Sequence, residues 1–461
     1  MDKISGFSDD ELLVKILSFL PTKDAVSTST LSKRWKFLWM RVPKLEYDEN
    51  SIYPKDFYCQ YMFIEGVDRR KRIIASGKSQ RMRRFIDRNL PLHISPLIES
   101  FRLVLFTEVF QPQDIKLWVE IAISRCVEEL SVTFTRFKGK PNALLPSSLY
   151  TCKSLVTLKL KKNILVDVPH VFCLPSLKTL HLERVTYADE ESLQRLLTNC
   201  SVLEDLVVER HQGDNVRKFS VIIPTLLSLS FTVWSGCSSD GYMIDTPSLK
   251  YFKYKNLSKS TTSTSLIIVK NMPKLEEAQI FTAGHNIKKL LQSLTSVKLL
   301  SLLVAEDNTA EAVYGDDVVF NKLEHLNFGI RNTFWSKLLF WLLNASPKLR
   351  DFKFSDQYSR VTMDTLVWWN QLSSVPQCLL SSLQTFEWSG DFFLSVQGKD
   401  VAKYILRNSC FLKTATITLG PGLDPQEHLD LDTEMRLSSP SSPTCNLVFN
   451  QHWDWGWEFW I

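Results

Sequence analysis

The chain has 461 residues with 55 Lys and Arg against 50 Asp and Glu, a net charge of +5, too small an excess over this length to attract nucleic acid or an anionic membrane chain-wide. Apolar content of 44% and charged content of 23% are those of a folding globular protein, and the 15 glycines exclude collagen-like and Gly-rich disordered classes. Length alone suggests about three domains or one long repeat array, and the 65 leucines, about 14% of residues, point to leucine-built repeats.

Ser8 and, three residues later, Glu11 form a capping box that predicts a helix start. Leu12, Leu13, Ile16, Leu17 and Leu20 then give that helix a wide apolar face until Pro21 stops it. Thr22 is expected to cap a second short helix carrying Ala25 and Val26, and Trp35, Leu38 and Trp39 sit one turn apart on a third. About forty residues enclose too small a core for all this apolar surface, so part of it is expected to meet another protein.

The run ISGFSDDELLVKILSFLPTKDAV from Ile4 to Val26, followed by Leu31-Ser32-Lys33-Arg34-Trp35 and Leu38-Trp39, resembles a plant F-box over the whole motif. The resemblance implies docking onto a Skp-type adaptor, which in turn binds a cullin. By position it implies adaptor contacts at Phe7, Leu12, Ile16, Leu17, Leu20, Pro21, Val26, Leu31 and Trp35. One departure is Phe7-Ser8, where the family most often has Leu-Pro.

From Asp68 to Arg88 the chain carries nine Lys and Arg and two Asp. This reads either as a solvated helix leading into the repeats or as a nuclear-import or nucleic-acid patch. Gly77-Lys78-Ser79 mimics the end of a P-loop, but Arg72 stands where the leading glycine belongs, so a surface turn is expected.

A phrase of the form L-x-x-L-x-L, with any apolar residue at each L, recurs from about residue 98 to 417. Its anchors are Ile98, Val127, Leu155, Leu177, Leu203, Leu226, Leu249, Leu275, Val297, Leu323, Leu349, Leu383 and Leu412. The mean spacing of about 26 lies within the range of leucine-rich repeats. Alternation, as in Leu155-Val156-Thr157-Leu158-Lys159-Leu160, predicts a strand with one face inward. Helical phrases precede three anchors: Leu193, Leu196, Leu197 and Cys200; Leu338, Leu339, Leu342 and Leu343; Val401, Ala402, Ile405 and Leu406. Each unit is therefore expected to be helix, turn, strand, stacking into a curved solenoid with a parallel sheet inside and helices outside. Outward positions on that sheet include Lys159, Lys161, His181, Glu183, Glu209, Lys253, Lys255, Asn327, Lys353 and Glu387. Their basic excess raises the expectation that the sheet receives an acidic segment of a target protein.

Three stretches, Val375–Trp388, Lys399–Cys410 and Arg436–Cys445, resemble the FBD module that follows an F-box and leucine-rich repeats in plant proteins. Here it is read as the last repeats plus a cap, although the acidic run expected between Trp388 and Lys399 is missing. Four tryptophans fall within the final twelve residues, a tail of unassigned role.

The expected architecture is α/β: an N-terminal three-helix F-box (1–48), a basic helical connector (49–97), leucine-rich repeats (98–371), an FBD module continuing the solenoid (372–449) and a Trp-rich tail (450–461). Nine scattered cysteines without a CxxC pair are read as small buried hydrophobes of a reducing compartment. The polar first eleven residues offer no secretory signal and no run approaches eighteen apolar residues, so an intracellular, nuclear or cytoplasmic, protein is expected. No catalytic motif, metal site or cofactor is expected. With the resemblance, these features imply a non-catalytic substrate-recognition subunit of a Skp-cullin-F-box ubiquitin ligase, binding adaptor at one end and target along the repeats. A scaffold or decoy without productive ligase assembly is the alternative, favoured by Phe7-Ser8. Small-molecule sensing is a third reading that no residue demands.

Overall fold

All thirteen repeat anchors are buried, none more than 1% exposed, and each stands two residues before a strand. The computed structural model describes residues 10–53, 69–136, 139, 141–237, 241–257, 267–270, 272–282, 287–304, 318–330, 335–356, 374–390, 396–418, 425–437 and 441–450. Phe7-Ser8 and the tryptophan tail beyond Asn450 lie outside these residues. The chain divides into two compact units, Met1–Leu226 and Leu227–Ile461.

In the first unit, Lys44–Asp48, Ser100–Leu105, Glu129–Phe134, Thr157–Lys162, Thr179–Glu183 and Asp205–Arg210 pair in that order, all parallel. In the second, Ser228–Val233, Tyr251–Asn256, Glu277–Thr282, Leu299–Val304, His325–Ile330, Asp351–Asp356, Thr385–Ser389, Thr414–Thr418 and Asn446–Asn450 do the same. The pleat sends alternate side chains to opposite faces, so Leu158 and Leu160 enter the core while Lys159 and Lys161 face out. Sequence reasoning missed the first strand, although Val42, Leu45 and Tyr47, all buried, repeat the same phrase.

The helix, turn, strand unit holds where the three helical phrases lie. Ser192–Thr198, Trp335–Ala345 and Val396–Asn408 are helices, and the apolar residues of all three phrases are buried. Helices also precede the anchors Val127, Val297 and Leu383, at Pro112–Ser124, Ile287–Gln292 and Gln377–Ser381, so the unit needs correction only in part. Short strands replace the helix at Ile164–Val166, Lys218–Ile222, Gly241–Asp245 and Ile267–Val269. These segments are rich in β-branched and aromatic residues, which lose side-chain freedom in a helix and pack well on a pleated surface.

The basic segment is a helix, Arg69–Asn89, but not a merely solvated one. Ile86 is fully buried, Asp87 accepts the indole N–H of Trp118 (3.0 Å), Arg83 pairs with Asp114 (2.7 Å), and Ser79 donates to Glu49 (2.5 Å). Gly77-Lys78-Ser79 is thus mid-helix, and the surface turn expected there is absent. Three of the expected buried cysteines, Cys152, Cys200 and Cys378, are buried, and burial pushes the Cys200 and Cys378 thiols up to about 12. Cys126, Cys173 and Cys410 are exposed instead.

Glu49 locks the N-terminal segment to the first repeat. Its fully buried carboxylate accepts the backbone N–H groups of Phe106 (2.6 Å) and Thr107 (3.1 Å) at the end of the second strand. The buried His93 uses Nε2–H to reach the Val42 carbonyl (2.6 Å), while Nδ1 has no hydrogen-bond partner among the described residues. Desolvation holds this imidazole below its ordinary pKa and keeps it neutral.

Candidate protein-interaction surfaces

The first helix, Asp10–Leu17, turns Leu13 and Leu17 inward. They meet Ala25 of the helix Thr22–Ser27 and Trp35, Leu38 and Trp39 of the tight 3₁₀ turn Trp35–Arg41, closing a core finished by Val42. Arg34 braces it by an ion pair with Asp10 at 2.8 Å. Thr22 does not cap the second helix; Pro21 stands at that position, and the buried Thr22 hydroxyl accepts the Glu46 N–H (2.7 Å). Its role is to tie the helix to the first strand.

With that core closed, apolar side chains remain outside it. Leu12, Ile16 and Leu20, spaced four apart along the chain, are each about 40% exposed, Leu31 is 56% exposed, and Pro21 is exposed. Phe19 (80%) and Phe37 (55%), which the sequence reading passed over, join them as exposed apolar groups. The nine residues that the resemblance implied as contacts therefore divide. Leu12, Ile16, Leu20, Pro21 and Leu31 present surface; Leu17 (1%) and Trp35 (3%) lie in the core; Val26 is half-buried against it; Phe7 is outside the described residues. Exposed aliphatic and aromatic groups over a rigid small core are the chemistry of a protein-docking patch.

The second surface is the outward face of each sheet. In the first unit, strand register sets Ser131, Lys159, His181 and Val207 on one row, with Thr133, Lys161, Glu183 and Glu209 on the next. Lys161 pairs with Glu183 at 2.8 Å, and His181 with Asp205 at 2.8 Å. Lys159 has no carboxylate partner among the described residues. In the second unit, one row runs through Lys253, Gln279, Ser301, Asn327, Lys353 and Glu387, with Lys255 two residues further along its strand than Lys253. Asn327 donates to Ser301 (3.0 Å), and Lys353 pairs with Glu387 at 2.8 Å. Residues up to 134 apart in sequence thus share a single polar row. The basic excess read from the sequence is partly answered by neighbouring carboxylates at Lys161 and Lys353. No group of three or more metal-ligating side chains occurs among the described residues, and none of the described helices is long and apolar enough to cross a membrane.

Comparison with known proteins covers all three regions. The family model for the F-box domain matches residues 9–47, that for the LRR repeats of FBD-associated F-box protein At5g56370 matches 115–290, and that for FBD matches 371–417. The chain is similar to three Arabidopsis thaliana proteins over most of its length. Identity is 66% to the F-box/FBD/LRR-repeat protein At5g62970, covering 97% of this chain and all of that one. It is 65% to FBD-associated F-box protein At5g56410, covering 95% and 85%, and 46% to FBD-associated F-box protein At4g10400, covering 98% and 100%.

Proposed function

We propose, from the premise that this chain belongs to the plant F-box/FBD/leucine-rich-repeat family, that it is the substrate-recognition subunit of a Skp-cullin-F-box ubiquitin ligase. The F-box implies binding to a Skp-type adaptor. The cullin, reached through that adaptor, and a target protein held on the repeats complete the reading, with the protein working in the nucleus, the cytoplasm or both. The observation that carries it is the exposed group Leu12, Ile16, Phe19, Leu20 and Leu31 over a core that is already closed. A receptor of this kind performs no bond chemistry. It raises the effective concentration of a target beside the ubiquitin-loaded enzyme, which requires two binding surfaces and a stiff connection between them.

The deciding experiment is recovery of Skp-type adaptor and cullin from plant extract on the full chain, wild type beside Ile16→Asp/Leu20→Asp. Both side chains lie outside the closed core at about 40% exposure, so the double variant is expected to keep its fold, as circular dichroism would check, while placing two charges in an apolar interface. Adaptor recovery is expected to fall at least roughly tenfold, the factor that about 1.4 kcal/mol gives. A folded wild-type chain that recovers no adaptor would establish the scaffold or decoy reading, which Phe7-Ser8 favours.

For the target we propose the sheet faces carrying Lys159, Lys161, His181 and Glu183 in the first unit and Lys253, Lys255, Asn327, Lys353 and Glu387 in the second. The partner segment is acidic. Triple reversal of Lys159, Lys253 and Lys353 to glutamate is expected to abolish target recovery while leaving adaptor recovery intact, and unchanged target recovery would rule the sheet faces out.

A further inference from the structure

Where the helix Thr22–Ser27, the strand Lys44–Asp48 and the basic helix Arg69–Asn89 meet, they leave a cavity of about 650 Å³, the size of sites that hold drug-sized ligands. Part of its wall is apolar: the Tyr47 ring, packed edge-on to Phe85 with centroids 6.2 Å apart, and the side chains of Met82 and Ile52. Five charged side chains complete the lining, and their pairing is unequal. The two carboxylates are both engaged by one guanidinium, Arg102, at 3.1 Å from Glu46 and 3.6 Å from Asp48, and Asp48 also accepts the Asn50 N–H. The three cations are not so matched. Lys78 donates to the Ile52 carbonyl (3.2 Å) and Arg81 to the Gly77 carbonyl (3.4 Å), while neither they nor Lys23 has a carboxylate partner among the described residues.

We propose that this cavity is a binding site for a small organic acid, with its ring system against Tyr47, Met82 and Phe85 and its carboxylate against Lys23 and Arg81. The uncompensated charge is positive and borders an apolar wall, so the matching ligand has one apolar body and one anionic group. Shape alone would admit a neutral ligand; the cation excess selects the acid. The proposal does not rest on ligase assembly, since the cavity belongs to the fold of the first unit.

The test is calorimetric titration of the full chain with 2-naphthoate and, separately, with the neutral 2-naphthamide. Saturable one-to-one binding of the acid is expected, with the amide at least roughly tenfold weaker, the factor that about 1.4 kcal/mol of ion pairing gives. Arg81→Glu should remove acid binding, and Met82→Trp, which narrows the apolar part of the cavity, should weaken both. Arg84→Glu, on the same helix but outside the lining, should bind as wild type, with circular dichroism confirming that each variant is folded. Equal affinity for acid and amide, absence of saturable binding to the folded chain, or equal losses in Arg81→Glu and Arg84→Glu would each overturn the proposal.

Discussion

Arg210→Ala is expected to destabilise the first unit by about 3–5 kcal/mol, the cost of leaving one member of a buried ion pair alone. Arg210 and Asp214 are 1% and 3% exposed, and the guanidinium meets the carboxylate through two bonds, Nε at 2.8 Å and a terminal nitrogen at 2.9 Å. Arg210 also donates to the Val216 carbonyl, while Asp214 accepts the Val216 N–H at 3.0 Å. Together they fold the turn after the strand Asp205–Arg210 back on itself. That turn is then sewn to its neighbour, because Asn215 donates to the Tyr187 carbonyl (2.8 Å) and Tyr187 to the Asp214 carbonyl (3.1 Å). Without the guanidinium, Asp214 remains a buried charge with the Val216 N–H as its one donor among the described residues. Hydrogen exchange at the Val216 and Tyr187 amides should accelerate by orders of magnitude, and the urea midpoint of the first unit should fall. Arg210→Met combined with Asp214→Leu should recover the part of the loss that comes from the unpaired charge, but not the part from the Val216 N–H and carbonyl, which lose their side-chain partners. A single variant as stable as wild type would show that the turn is held by its backbone contacts.

Glu49 carries the second large effect. Glu49→Ala removes the acceptor from three donors, the Phe106 and Thr107 N–H groups and the Ser79 hydroxyl, at about 1–3 kcal/mol for each one left buried and unsatisfied. Glu49→Gln keeps an oxygen for the two backbone donors and an amide that donates to Ser79 Oγ, so it should be far milder. The two also differ in pH dependence. Burial raises the Glu49 pKa above its ordinary value, against the opposing effect of the hydrogen bonds from Ser79, Phe106 and Thr107. The folded state therefore takes up a proton more readily than the unfolded chain. The stability linked to that proton is complete below the unfolded pKa and is lost as pH rises through the folded one. Glu49→Gln removes this loss, so its stability relative to wild type should climb as pH rises from the ordinary glutamate range towards neutrality. Thermal unfolding at a series of pH values reads the difference directly, and a flat difference across that range would rule out the linkage.

The repeat strands were legible because a leucine-rich phrase is a constraint at three positions at once, and burial of all thirteen anchors is the same fact seen in space. The first strand carried the same phrase at Val42, Leu45 and Tyr47 but lay inside a segment already assigned to the F-box. The last, Asn446–Asn450, was hidden because Thr444 occupies its anchor position. The short strands opposite the main sheets were missed because two to five residues give periodicity too little room, and composition alone separates Ile267–Val269 from a helix turn. For the N-terminal docking patch, motif position named the correct helices but not the side of each residue. Leu17 falls one position after Ile16, and 100° of helical rotation takes it from the surface into the core. Nothing in sequence pairs Glu49 with Phe106, or Arg102 with Glu46 and Asp48, because these contacts are made by register between strands more than fifty residues apart.

The strand Lys44–Asp48 belongs at once to the end of the three-helix segment and to the parallel sheet of the repeats. An exchange of N-terminal segments between relatives that cuts at residue 48 would deliver a foreign first strand to the sheet and part Arg102 from its own Glu46 and Asp48. A junction placed beyond Trp118 moves the strand, its partner Ser100–Leu105, the Glu49 acceptor site and the Arg83–Asp114 and Asp87–Trp118 contacts together. In this architecture the unit that recombination can shuffle intact is more than twice as long as the motif by which it is recognised.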